Sequence, residues 1–363
     1  MKKKILSLQT IRAFAFLGIF LSHTRITSLP LGTWGVSVFL VLSGFLMTTA
    51  YYDKTLQTGF VPSLLFGWKK VLALYPLHIL MMLAALPIFY KGIATTSVHI
   101  AANITLMQSW WPDSSVYFSL NSVAWYLSVC LFAYFVFPAV LKKLQRAASV
   151  KHLLIIAAVV IVLQNIPAYL THHFRPIPIG DNFYKWVTYI LPLSRVGDFI
   201  VGSVFGCIFV RRNREETLRP IAANVLELAA LGLTLASILC SADKLNVWWS
   251  RYSLWYLPGA LLLVYAFAIN KGLLSKILTN KVTVWLGDLS AYGFLLHQMI
   301  IRYLQRLVPK VIGSHLSIPA YTVLAFLFTV AASVLYKKYL AARLAKPVNV
   351  AFSKISTKLL RNN

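Results

Sequence analysis

The 363-residue chain is 59% hydrophobic and only 12% charged, where a soluble domain carries about 25% charged residues, so a water-soluble globular fold is excluded. A net charge of +26 would suit nucleic acid, but the basic residues form short clusters between apolar runs and no nucleic-acid-binding motif is present, which excludes that partner. Cys130, Cys207 and Cys240 all sit inside apolar runs and say nothing about a disulfide framework.

Apolar runs long enough to cross a bilayer recur along the whole chain, near 8–28, 33–52, 71–90, 122–141, 152–170, 190–210, 220–241, 252–270, 282–303 and 318–340. They predict an all-α integral membrane protein of about ten transmembrane helices. The opening "MKKKILSL" imitates the basic region of a signal peptide, but no small-residue cleavage site follows, so an uncleaved first span is expected. That span, "SLQTIRAFAFLGIFLSHTRI", carries Arg12 and His23 in its interior. Residues eleven apart on a helix return to within about 20° of the same face, with about 16 Å of axial separation. One face of the first helix therefore presents a cation in its inner half and an imidazole in its outer half.

Lys69 and Lys70 follow the second run. The shorter stretch "SVHIAANITLMQSWW" at 97–111 is a doubtful crossing, and loop charge decides against it. With ten spans and a cytoplasmic N-terminus, most of the 35 Lys and Arg residues fall in inside segments, among them "MKKK", "KKLQRAASVK", "RRNREETLR" and "KGLLSKILTNK". A crossing at 97–111 would flip every later loop and erase that bias, against the rule that basic loops stay cytoplasmic. The stretch is expected to be re-entrant or extracytoplasmic, with both termini cytoplasmic. Residues 1–345 then form one membrane domain and 346–363 a basic cytoplasmic tail.

Further along, Arg195 and Asp198 in "PLSRVGDFIVG" are spaced to pair on one helix face. They fit two uses, holding helices together or orienting an imidazole. Glu227 stands alone in its span with no evident role. In "WLGDLSAYGFLLHQMII", His297 lies about as deep from the cytoplasmic side as His23 does in its own span, while Asp288 is nearer the inner end. Charged groups at mid-membrane cost roughly 2.5–3.5 kcal/mol even on mild scales and commonly mark a reaction site or pathway.

The order of these motifs resembles the acyltransferase 3 family of membrane-bound acyltransferases, from about residue 5 to 340. "LQTIRAFAFLGIFLSH" matches the family's first-span arginine and histidine through Arg12 and His23. "GTWGVSVFLVLSGFLM" matches through Gly32, Gly35, Val36, Phe39, Ser43, Gly44 and Phe45, and "NSVAWYLSVCLFAYFVFP", "SRVGDFIVG" and "LGDLSAYGFLLH" follow in family order. Two positions depart: where the family has Arg-x-x-Arg before a proline this chain reads "WKKVLALYP", with Lys70 and Ala73, and Cys130 stands where many members have glutamate.

The resemblance implies acyl transfer, usually of acetyl, from cytoplasmic acetyl-CoA to a hydroxyl of a carbohydrate or lipid-linked glycan at the cytoplasmic membrane. It makes His23 the catalytic group, as general base or transient acyl carrier, with Asp198 and His297 in support. Arg12, Lys69 and Lys70 are the expected donor-binding cations. Ser43, Asn121, Ser122, Trp125, Tyr126 and Arg195 are the expected acceptor-side residues, although tryptophans such as Trp110, Trp111 and Trp125 also suit interfacial anchoring. No metal is expected. A transporter or flippase of a lipid-linked saccharide is the alternative, since intramembrane Arg, His and Asp suit proton coupling as well. The paired, Gly/Pro-broken segments that would favour transport are missing. Oligomeric state is not readable from the sequence.

Overall fold

A computed structural model describes residues 5–89, 96–173, 181–212, 218–240 and 253–361. The expected basic starts and loops at Lys2–Lys4, Lys91, Arg175, Arg214, Lys244 and Arg251 lie outside the described residues. Among the described residues there are only helices, turns and connecting coil. They are α1 Ser7–Thr24, α2 Leu31–Tyr51, α3 Phe60–Val71, α4 Tyr75–Phe89, α5 Ser97–Ile104, α6 Ser114–Tyr117, α7 Trp125–Gln145, α8 Val150–His173, α9 Asp181–Lys185 and α10 Pro192–Arg212. Then follow α11 Pro220–Leu239, α12 Ser253–Ile269, α13 Leu273–Leu278, α14 Lys281–Ile312, α15 Ile318–Leu335 and α16 Ala341–Arg361.

Among the described residues each expected apolar run is mostly helical, although that at 8–28 outlasts α1 and that at 71–90 includes a turn at 72–74. Six helical stretches among the described residues are long and apolar enough to cross a membrane, and α3 with α4, bent by 65°, makes either a broken seventh span or a re-entrant loop. The break is the turn at 72–74, and Pro76 falls in the first turn of α4, where its missing N–H leaves no helical bond unmade. The apolar stretch of α12 is shorter, while α1 and α14 are long enough but carry the intramembrane polar residues. Segment 97–111 forms the eight-residue α5 and a single 3₁₀ turn, Gln108–Trp110. Eight residues rise about 12 Å, too little for a hydrocarbon core of about 30 Å. The residues expected as a tail continue α16, with Arg343, Lys346, Lys354 and Lys358 exposed.

The chain clusters into two compact units. The first comprises Met1–Ile19, Leu29–Leu56 and Phe137–Asp288; the second comprises Phe20–Ser28, Gln57–Val136 and Leu289–Asn363.

In the first unit the central contact is α2 against α10. Glycine lets the two backbones touch: a Cβ at Gly44 would run into the Phe199 carbonyl, one at Gly202 into Val41, and one at Gly206 would lie 2.7 Å from the Phe45 oxygen. Small residues at such crossings substitute close van der Waals packing for the hydrophobic effect that lipid cannot supply. The contacts Ser37–Arg195, Val41–Gly202 and Phe45–Gly206 ascend together, so the helices are parallel.

Gly44→Val is therefore expected to force the helices apart and cost at least the ~1–3 kcal/mol typical of overpacking. Gly232→Val, with nothing within 4 Å of its Cβ position, is the matched control. Thermal unfolding in detergent should show a lowered Tm for the first and little change for the second.

α11 and α12 form an antiparallel hairpin, closed by the Trp255 indole donating to the Ser237 carbonyl at 2.8 Å and by Gly259 lying against Thr234. Glu227 gains a role here. Its Oε2 accepts the backbone N–H groups of Leu274 (2.8 Å) and Ser275 (3.3 Å), and Asn224 Oδ1 accepts that of Leu273 (2.7 Å). These are the orphan donors at the start of α13, so the carboxylate serves as a cap supplied from another helix. Arg211 ties the other end of α10 down, donating to the Tyr52 hydroxyl (2.9 Å) and to the carbonyls of Ala147 (2.8 Å) and Leu144 (3.0 Å).

In the second unit, segment 97–124 is stitched to its neighbours by side chains satisfying backbone groups. The Tyr75 hydroxyl donates to the Ile104 carbonyl (2.8 Å), and His78 Nε2 to that of Asn103 (2.9 Å). The Gln108 amide donates to Ala124 (3.0 Å) and the Ser109 hydroxyl to Trp125 (2.8 Å). Irregular backbone is tolerated at membrane depth only where such partners exist.

Candidate active site

The second unit holds a histidine pair. His23 is in the last turn of α1 and His297 in the middle of α14, with His297 Nε2 3.3 Å from His23 Nδ1 and the rings edge to face at 4.9 Å between centroids. His297 is fully buried and His23 half-buried. Phe20 and Phe294 flank the His297 ring at 6.2 and 6.0 Å, and Tyr126 stacks edge-on against Phe294 at 5.2 Å. α1 and α14 thus bring the two imidazoles together.

The loop before α7 lies beside this pair. The Asn121 amide donates to the Leu295 carbonyl at 2.9 Å, two residues from His297, and Asn121 is buried. Arg302, five residues beyond His297 on α14, donates to the Leu120 carbonyl (3.0 Å) and to the Ser122 hydroxyl (3.3 Å). Leu120 sits at φ 54°, in the left-handed region, held there by these neighbours. Asn121 and Ser122, expected at the acceptor, are therefore hydrogen-bonded within the fold. Arg302 donates into this loop from five residues beyond His297, and a cation at the end of the run 282–303 was the available signal. Trp125 is buried, whereas Tyr126 keeps partial exposure. Trp110 packs edge-on to Phe132 at 5.1 Å, and Trp111 is exposed.

The first unit holds the second group. Arg195 and Asp198, both fully buried, are paired at 3.0 Å. Gln164 on α8 donates to Asp198 Oδ1 (2.7 Å), Arg195 Nη2 donates to the Ser37 hydroxyl on α2 (3.1 Å), and the guanidinium lies over the Tyr189 ring at 5.2 Å. Arg195 Nε and Nη1 make no hydrogen bond among the described residues. The carboxylate expected to serve an imidazole thus has Arg195 and Gln164 as partners. Gln164 and Ser37 escaped the sequence reading because uncharged polar residues in apolar runs carry no spacing signature. Arg12 on α1 and Ser43 on α2 are half-buried.

Lys69 and Lys70, in the second unit, close the last turn of α3, with Lys69 exposed and the Lys70 ammonium 5.4 Å over the Phe66 ring.

No solved structure matches the chain. Over 338 residues it is 28% identical to acyltransferase MdmB of Streptomyces mycarofaciens, an alignment covering 85% of this chain and 81% of that protein. Over 309 residues it is 22% identical to O-acetyltransferase OatA of Staphylococcus aureus, covering 81% of this chain but only 50% of OatA. Residues 5–337 match the acyltransferase domain that defines the acyltransferase 3 family, and the chain, whose described residues form helices and their connections, belongs to that family and is a membrane acyltransferase.

Proposed function

We propose that the protein transfers an acetyl group from acetyl-CoA on the cytoplasmic side of the cytoplasmic membrane to a hydroxyl of an extracytoplasmic or lipid-linked carbohydrate. The observation that carries this reading is the His23–His297 pair, an imidazole held by another imidazole inside a helical membrane domain of the acyltransferase family. The names of the relatives add support, since one is an O-acetyltransferase.

His23 takes the proton of the acceptor hydroxyl as its oxygen attacks the thioester carbonyl carbon. The tetrahedral intermediate then collapses, the C–S bond breaks, and the thiolate leaves with the proton returned by the imidazolium. The products are the ester and free CoA-SH, with no change of oxidation state. Lys69 and Lys70 meet donor phosphates as compact charges, and Arg12, with its planar fork, holds the donor's polar arm. Arg12 precedes His23 by eleven residues on α1, about 16 Å along the axis.

The test is transfer of radiolabelled acetyl from acetyl-CoA to purified envelope glycans by the full chain in vesicles. Label on the glycan is the expected result, with mass spectra naming the sugar. Translocation of lipid-linked saccharide without label transfer would overturn the proposal in favour of transport. In the same assay Arg12→Ala should raise the KM for acetyl-CoA about 10-fold, the scale of a lost charge-assisted hydrogen bond of ~1.5–3 kcal/mol. Its KM for the glycan should stay unchanged.

A further inference from the structure

The hydrogen bonds of His297 determine which nitrogen of His23 reacts. His297 Nδ1 lies 2.8 Å from the Phe294 carbonyl and 3.1 Å from the Gly293 carbonyl, both in its own helix. Carbonyl oxygens only accept, so Nδ1 of His297 carries its hydrogen. In the neutral ring the other nitrogen, Nε2, then holds a lone pair. That Nε2 faces His23 Nδ1 at 3.3 Å. Since Nε2 must accept, His23 Nδ1 must donate, and the hydrogen of a neutral His23 sits on Nδ1. Its Nε2 is left as the basic nitrogen. The tautomer of a histidine is set in this way by the bond its other nitrogen makes.

We infer that His297 is a positioning residue that fixes His23 in its Nδ1–H form and aims His23 Nε2 at the acceptor hydroxyl. The arrangement serves both halves of the reaction. When Nε2 takes the acceptor's proton, the imidazolium still donates through Nδ1 to the same His297 lone pair, so no ring flips between proton uptake and proton return. The surrounding groups hold the His297 ring in turn. Phe20 and Phe294 flank the His297 ring, Phe326 packs edge-on to Phe20 at 5.4 Å, and the Asn121 amide anchors the Leu295 carbonyl of the same turn. A side chain without an acceptor at the Nε2 position would fill the space but leave the His23 ring free to adopt its other tautomer.

This inference rests on His23 being the base, and the experiment separates the two. The full chain in vesicles is compared as wild type, His297→Gln, His297→Met and His23→Gln, with insertion checked by size exclusion. Glutamine offers an amide oxygen close to where Nε2 stood; methionine matches the length without an acceptor of comparable strength. His297→Gln is expected to keep kcat within about 3-fold of wild type, and His297→Met to lose about 10- to 100-fold in kcat with both KM values within about 2-fold, part of the 10²–10⁴ that acid–base catalysis supplies. Equal kcat for the Gln and Met variants, whether both high or both low, overturns the positioning role, as does a loss appearing in KM alone. His23→Gln with undiminished kcat would overturn the underlying base assignment instead. A dead His23→Gln beside a fully active His297→Met would leave that assignment standing and remove only this inference.

Discussion

His23→Ala is expected to lower acyl transfer by about 10²- to 10⁴-fold, the range that a positioned acid–base side chain contributes, with insertion and acetyl-CoA affinity unchanged. The change deletes a half-buried ring whose Nδ1 bonds His297, removing that hydrogen bond at the ~0.5–1.5 kcal/mol typical of one. That stability cost is small beside the kinetic one. Measuring initial rates at saturating donor and acceptor, and donor affinity by calorimetry on the same preparation, separates them. A variant that binds acetyl-CoA normally and transfers at the wild-type rate would leave the histidine pair as a packing feature and move the chemistry elsewhere.

The largest effect on stability is expected at the ion pair in the first unit. Arg195 and Asp198 are both fully buried, and removing one partner of such a pair typically costs about 3–5 kcal/mol because the other charge is stranded. Arg195→Ala and Asp198→Ala should each lower the Tm markedly and raise the fraction aggregating on extraction. Replacing both together, as Arg195→Met with Asp198→Leu, should recover much of that loss, since apolar replacement of a buried pair is often neutral or better. Recovery will be incomplete because Gln164 and Ser37 lose their partners. Unfolding midpoints of the three variants test the stability claim. The double variant also decides function: if it folds and transfers normally, the pair only holds α2, α8 and α10 together. If it folds and its KM for the acceptor glycan rises, Arg195 binds substrate as the sequence suggested.

Much of this architecture is legible in the sequence because lipid imposes simple demands. An apolar run of about 20 residues has few alternatives to a helix, and the depth of a residue in a span follows from counting, which is why His23 and His297 could be matched before their rings were seen to meet. Charge bias placed 97–111 outside the set of crossings, and the eight-residue α5 within it is too short to cross. What escaped reading were groups defined by direction. Whether Asn121 turns toward a substrate or toward the Leu295 carbonyl depends on a loop whose conformation Arg302 imposes from 180 residues away. Glu227 looked unassignable because its partners are backbone amides in another helix, and main-chain donors leave no trace in a residue code.

The glycine seam between α2 and α10 has a mechanical consequence. Near its start the seam is pinned by Arg195 on Ser37, and at its far end by Arg211 on Tyr52. With backbone against backbone between those pins, neither helix can slide like a piston or roll about its axis without breaking a polar clamp. The two act as one stiff mast within their unit, and any breathing of that unit during turnover must be carried by the less tightly bound helices around it.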